Sequence, residues 1–160
     1  SEAADLQDMR KAIVEMLFVE GNHMCPGCEK SGNCELQALA YRFQMMAPRY
    51  PYQFQKKELD GSHPDVYIDR NRCILCGRCV RSSREIDKKN VFGFEGRGSH
   101  VRLAVDARHS LAETDLKAAD KAAGYCPTGS LVVKRVGWKI PVGSRKYDQE
   151  PIGSDIEKRR

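Results

Sequence analysis

The chain has 160 residues, 41% hydrophobic and 31% charged, with a formal net charge of +5 and seven cysteines. That length makes one or two small domains with a lean core, and no apolar run approaches the length of a bilayer span, so membrane insertion is not expected. With no secretory signal to read, seven cysteines point to metal ligands in a reducing compartment rather than to disulfides with one left over, and the cytoplasm is the expected location.

Taken in order, residues 1 to 20 read as a helix. Leu6, Met9, Ile13, Met16 and Leu17 recur at helical spacing, acidic Asp5 and Asp8 lie near the start, and Gly21 can close the end. That apolar stripe is expected to meet core or a partner. The stretch GNHMCPGCEKSGNCELQ follows, with His23, Cys25, Cys28 and Cys34. Gly27 and Gly32 permit tight turns and Pro26 stiffens the loop. One histidine and three cysteines suit either tetrahedral zinc or a [4Fe–4S] cube with one imidazole corner, and spacing alone leaves both open. A second amphipathic helix is expected over 35–47, ended by Pro48 and Pro51. The segment from Arg49 to Asp65 is aromatic, charged and broken by prolines, so it reads as an extended loop. His63 there is assigned no ligand role.

Val66-Tyr67-Ile68 reads as a strand leading into DRNRCILCGRCVRSSR, the stretch around which the chain is organised. Cys73, Cys76 and Cys79 fall at every third position, so one tight loop can turn three thiolates to one point. Structural zinc normally draws two ligands from such a knuckle, whereas three suit an iron–sulfur cube. In the bacterial ferredoxin run a fourth cysteine follows and serves another cluster; here that position is Ser83. The Cys-Pro pair comes later, as Cys126-Pro127. Counting back from Cys126 at ferredoxin spacing reaches Ala122, Ala119 and Leu116 where a second loop would carry cysteines. The pattern is that of a two-cluster ferredoxin that keeps one cluster, a [4Fe–4S] centre on Cys73, Cys76, Cys79 and Cys126.

Cys79 to Glu85 should begin a helix, with Arg78, Arg81, Arg84, Lys88 and Lys89 making a solvated basic face that also favours a reduced cluster. Residues 91–106 alternate apolar and polar between glycines and read as a hairpin. His100 and His109 read as surface residues. Residues 114–125 read as an alanine-rich helix delivering Cys126, and SLVVKRV as the closing strand. The fold class is thus α+β: a helical histidine-plus-three-cysteine cradle over 1–60, a ferredoxin-like [4Fe–4S] domain over 61–136, and an extended tail over 137–160. The tail is expected to lie on a partner, because Trp138, Ile140 and Val142 need cover.

The order of these motifs, with MMAPRYPYQF and KRVGWKIPVGSRKY beside them, resembles the small diaphorase subunit of NAD-reducing soluble [NiFe] hydrogenases. That family is similar in turn to the N-terminal region of the large iron–sulfur subunit of complex I and of NAD-dependent formate dehydrogenases. Met24 alone separates His23 from Cys25, closer to the hydrogenase branch than to complex I. The resemblance implies one [4Fe–4S] cluster on His23, Cys25, Cys28 and Cys34 and a second on Cys73, Cys76, Cys79 and Cys126. It implies an electron relay with no active site of its own, belonging to a hydrogen:NAD+ oxidoreductase complex. The expected partners are a flavin/NAD-binding diaphorase subunit and the [NiFe] hydrogenase small and large subunits. FMN, NAD, the [NiFe] centre and a [2Fe–2S] cluster are expected on partner chains or on an N-terminal domain, since the family's usual C-x4-C-x2-C segment is not in this sequence. The all-cysteine cluster is expected on the main electron path and the His-ligated one to its side.

No glycine-rich phosphate loop or nucleophile–base pair is present, so no flavin, NAD or catalytic site is expected here. Ligating thiolates and two clusters would bring the net charge to about +2, which makes the basicity largely a counter-charge and nucleic acid an unexpected partner. The alternatives are an equivalent fragment of complex I or formate dehydrogenase, a zinc-stabilised nucleic-acid-binding module, and a scaffold whose clusters serve only folding.

Overall fold

The computed structural model describes residues 3–158. It is α+β and divides into two compact units. One contains the described residues up to Gln55 and those from Trp138 on; the other is Lys56–Gly137. The tail read from sequence as a separate extended segment therefore belongs with the first unit.

In the first unit, α1 (Ala4–Glu20) packs on α2 (Glu35–Arg42). The face that α1 buries is Val14, Phe18 and Val19, while Met9, Ile13 and Met16 of the expected stripe are exposed. The helix is turned because Glu15 goes inward, 0% exposed, and Arg49 Nε reaches it at 2.8 Å. An inward carboxylate needs such a partner, and the one it finds is 34 residues away. Helix α2 stops well short of residue 47. Gln44 turns left-handed at φ +50°, and the amides of Gln44 and Met45 fold back on the carbonyls of Tyr41 and Ala40 in a Schellman closure. The tail then returns over the loop between the helices. It forms two single-turn helices, α5 (Lys146–Gln149) and α6 (Ser154–Glu157), and Arg42 binds both Ile152 O and Glu157.

In the second unit, β1 (Leu59–Asp60), β2 (Val66–Asp69) and β5 (Leu131–Val133) form an antiparallel sheet in the order β1-β2-β5. Val66 pairs with Val133 and Ile68 with Leu131. Both β2 residues are fully buried, as period-two alternation in a one-sided sheet requires. Strand β1 lies inside what the sequence presents as loop; two residues are too few to show a period. Helix α3 (Arg78–Glu85) and the hairpin β3 (Phe92–Glu95) with β4 (Arg102–Val105) form where expected. The alanine-rich segment does not. Only α4 (Lys121–Gly124) is α-helical, with a 3-10 turn at Leu111–Glu113. Asp120 takes the Lys117 amide and the distant Asp87 the amides of Lys121 and Ala122, so a local and a remote carboxylate claim donors that a longer helix would use.

One continuous core joins these pieces: Val66, Ile68, Val91, Phe92, Leu103, Leu111, Leu116, Ala122, Ala123 and Leu131, with Cys79 among them and Cys73 and Cys126 against them. His63 is a core residue too. Its Nδ1 accepts from the amides of Asp65 (3.1 Å) and Val66 (3.2 Å), so Nε2 carries the proton and donates to Leu116 O at 2.8 Å.

Candidate metal centres

The second unit brings its four cysteines to one cavity. Cys73, Cys76, Cys79 and Cys126 line it together with Ile74, Leu75, Phe94, Leu103, Pro127 and Ser130. Each thiol has its own local device. Asp69 ends β2 and takes the Asn71 amide (3.0 Å) and Arg72 Nε (3.0 Å), which turns the chain into Cys73. Leu75 and Gly77 are both left-handed, at φ +52° and +70°, and fold the loop so that Cys76 and Cys79 face the same way; for leucine that conformation is strained. Helix α3 carries Cys79 in its first turn. On the other side, Thr128 donates to Arg72 O at 2.7 Å and its hydroxyl lies 3.7 Å from Cys126 Sγ, stitching the Cys126 loop to the Cys73 loop.

The donor set is electrostatically incomplete as bare protein. Burial pushes the Cys79 thiol up to about 12, with the thiols of Cys126, Cys73 and Cys76 adding to it. Burial also raises Cys73, against the Leu75 amide and the Ser130 hydroxyl, which favour the thiolate. The Ser130 hydroxyl is buried and has no hydrogen bond of standard geometry to any other described group, so Cys73 is its natural recipient. Burial thus favours the protonated form at Cys73 and Cys79, and a polycationic group such as an iron–sulfur core would draw those protons off. No three His, Cys, Asp or Glu side chains among the described residues are grouped to hold a single ion.

The positions that would carry a second cluster's ligands are given to packing. Ser83 is 1% exposed and accepts the Val91 amide at 2.9 Å. Ala122 and Leu116 are in the core, while Ala119 is exposed.

The first unit's cradle is built differently. Cys25, Pro26 and Gly27 make a 3-10 turn, and Cys28 N closes on Cys25 O. Cys34 caps α2, its sulfur accepting the Gln37 amide at 3.5 Å. Burial raises the Cys34 thiol to about 11; the amides of Gln37 and Leu36 oppose this, and Cys28 and Cys25 add to it, so the three thiols sense one another. His23 lies half-buried with its ring 5.2 Å from that of Phe18. The 31–34 loop is held by polar contacts. Gln37 Oε1 accepts the Gly32 amide at 2.7 Å, and Tyr147 N donates to Gly32 O at 2.9 Å. Arg145 donates to Ser31 Oγ and is itself clamped by Asp148, whose carboxyl it holds well below the usual range.

Sequence reading missed the Asp69, Thr128, Ser130, Gln37 and Arg145–Asp148 contributions. The first three had a weak signal, short polar side chains flanking cysteines in turns. The last acts on Ser31, 114 residues from Arg145, and had none.

Two family models match stretches of the chain, one in each unit. Residues 10–49 match the NADH-ubiquinone oxidoreductase-G iron-sulfur binding region, and residues 66–133 match a 4Fe-4S single cluster domain. The chain is 42% identical over 149 residues to the NAD-reducing hydrogenase HoxS subunit gamma of Cupriavidus necator, covering 92% of this chain and 63% of that one. It is 32% identical over 126 residues to the NADH-ubiquinone oxidoreductase 75 kDa subunit of Acanthamoeba castellanii, covering 78% of this chain and 18% of that one. It superposes at a TM-score of 0.89 and 45% identity on a chain of a crystal structure of NAD+-reducing [NiFe]-hydrogenase in the H2-reduced state, covering 93% of this chain and 64% of that one. The chain thus spans just under two thirds of its hydrogenase relatives. Among the described residues no helix is long and apolar enough to cross a membrane. With both iron–sulfur regions matched, the likeness runs through most of this chain's length: it is similar to the gamma subunit of an NAD-reducing hydrogenase and, at lower identity, to the 75 kDa subunit of NADH-ubiquinone oxidoreductase.

Proposed function

We propose that this chain is a non-catalytic electron relay in a cytoplasmic hydrogen:NAD+ oxidoreductase, passing electrons between a [NiFe] hydrogenase module and a flavin/NAD(H) diaphorase module. Cys73, Cys76, Cys79 and Cys126 hold one [4Fe–4S] cluster; His23, Cys25, Cys28 and Cys34 hold another. The observation that carries the reading is the ring of four cysteines around one apolar cavity, inside the segment that matches a 4Fe-4S single cluster domain.

Bound there, each cluster supplies one-electron exchange with little rearrangement. The protein's own part is to orient and tune. Ser130 and the Leu75 amide favour negative charge at Cys73. The N-terminus of α2 does so at Cys34, through the Gln37 and Leu36 amides. The wall of Ile74, Leu75, Phe94, Leu103 and Leu131 keeps the dielectric low. A neutral imidazole at His23 leaves the first cluster about one charge less negative and raises its potential, as histidine does in Rieske centres. An unchanged midpoint potential in His23→Cys would contradict that assignment of roles.

The deciding experiment is iron, zinc and acid-labile sulfide content of anaerobically purified full chain, with EPR after reduction. The relay reading expects about eight irons and eight sulfides per chain and two [4Fe–4S] signals. About four irons with one zinc would make the His23 site structural, and zinc without iron would refute the relay.

A further inference from the structure

Of the seven cysteines, Cys76 alone is exposed. Two unlike side chains share its rim. A Cβ placed on Gly77 would stand 3.0 Å from Arg81 Nη1 and 3.5 Å from the Phe94 ring, so cation and ring flank one spot on the loop beside Cys76. Arg81 Nη2 donates to Cys76 O at 3.3 Å. Phe94 lines the four-cysteine cavity on one side and is 47% exposed on the other. Nearby cations are already matched: Arg84 to Glu85, and Arg102 to Glu95 and Glu58. Among the described residues no carboxylate pairs with Arg81, and the residue is exposed.

We propose that the rim of Cys76, Arg81 and Phe94 is the electron port of the four-cysteine centre, and that it seats a redox partner presenting a carboxylate to Arg81 and an apolar side chain to Phe94. The inference rests on the four-cysteine site holding a cluster. Electron tunnelling falls off exponentially with distance, so the ligand that reaches the surface marks the shortest way out. An arginine and an aromatic ring are the residue types that anchor interfaces, and a guanidinium fork recognises a carboxylate better than any other group. Ring and cation together select an acidic partner at the edge where Cys76 reaches the surface.

The test uses the dithionite-reduced full chain and two protein oxidants of opposite charge, plastocyanin (acidic) and cytochrome c (basic). In either reaction one electron leaves the reduced cluster, whose core returns from +1 to +2, and reduces Cu(II) to Cu(I) or haem Fe(III) to Fe(II). Rapid mixing with freeze-quench EPR follows each cluster separately. Arg81→Glu is expected to slow oxidation of the four-cysteine cluster by plastocyanin by about tenfold at low salt, while leaving cytochrome c equal or faster. Phe94→Ser is expected to slow both acceptors. Arg108→Glu changes the net charge equally at an exposed position on the loop after β4 and is expected to have a smaller effect. A shift in cluster potential would move both acceptors the same way, so the opposed response isolates the port. Equal slowing by Arg81→Glu and Arg108→Glu, or no effect of Phe94→Ser, overturns the proposal. If Arg81→Glu loses iron, Arg81→Gln carries the same comparison with a smaller expected ratio. A wild-type chain without a four-cysteine EPR signal defeats the relay reading itself, a distinct result.

Discussion

The two cradles reach similar donor sets by opposite means. In Lys56–Gly137 three of the four cysteines belong to the core or pack on it. Cys79 is one of its members, Cys73 and Cys126 pack against it, and the strands and helix that carry them are fixed by the same apolar contacts. In the first unit the cysteines sit on a 3-10 turn and a helix cap, and the loop between is tied by amides, a glutamine and an ion pair brought in by the tail. A site set in a core inherits the cooperativity of that core; a site held by polar latches can open without global unfolding. The first unit is the one in which cluster assembly should depend on residues distant in sequence.

The largest expected effect removes a ligand. Cys126→Ser should lose about four irons per chain and one EPR signal, with the first site retained. Loss of all iron would show that the two units do not load independently and would break the contrast. Next comes the core of the second unit. His63→Ala leaves the Leu116 carbonyl and the Asp65 and Val66 amides without their ring partner, and should destabilise that unit by about 3 kcal/mol in denaturant titrations followed by cluster absorbance. The third concerns the latch. Gly32 is left-handed at φ +77°, and a Cβ there would come within 2.1 Å of Arg145 Nε. Gly32→Ala should therefore cost about 1–2 kcal/mol and lower first-site iron selectively, with Trp138, the only tryptophan and a member of the first unit, reporting the unfolding.

The smallest is a pH effect. Arg145 lowers the Asp148 pKa in the fold, so the contribution of this pair is fully present above the ordinary carboxylate range, about pH 4, and is lost as pH falls from there through the lower folded value. The Trp138 unfolding midpoint should be flat in this respect between pH 5 and 8. Asp148→Asn should be less stable in that range and lack the Arg145-linked part of the acid decline. An equal acid decline in both proteins would detach the latch from the first cradle.

Much of the second site was legible because its information is local. Three cysteines at every third position, a glycine at 77 and a Cys-Pro pair define a loop whatever surrounds it, and the alternation over 91–106 could be read as a hairpin without knowing its neighbour. The face of α1 was not legible. Its five most regular apolar residues predict one side, and Glu15 with Arg49 selects another, because an ion pair that buries a carboxylate outweighs a few partly exposed methionines. The alanine-rich segment misled for a related reason. Helix propensity is worth tenths of a kcal/mol per residue, and the carboxylates of Asp87 and Asp120 offer the same amides about 1 kcal/mol each.

By itself the sequence determined the α+β class, the spacing of the eight candidate ligands, the strand and helix that flank the main loop, and the kinship, since each rests on residues within a few positions of one another. Only the tertiary structure decided which side of α1 is buried, that His63 is a core pin, that the tail closes the first cradle, and that Cys76 is the one cysteine at the surface. Those outcomes depend on partners 30 to more than 100 residues away, and burial is set by what the folded chain brings opposite a side chain rather than by its neighbours in sequence.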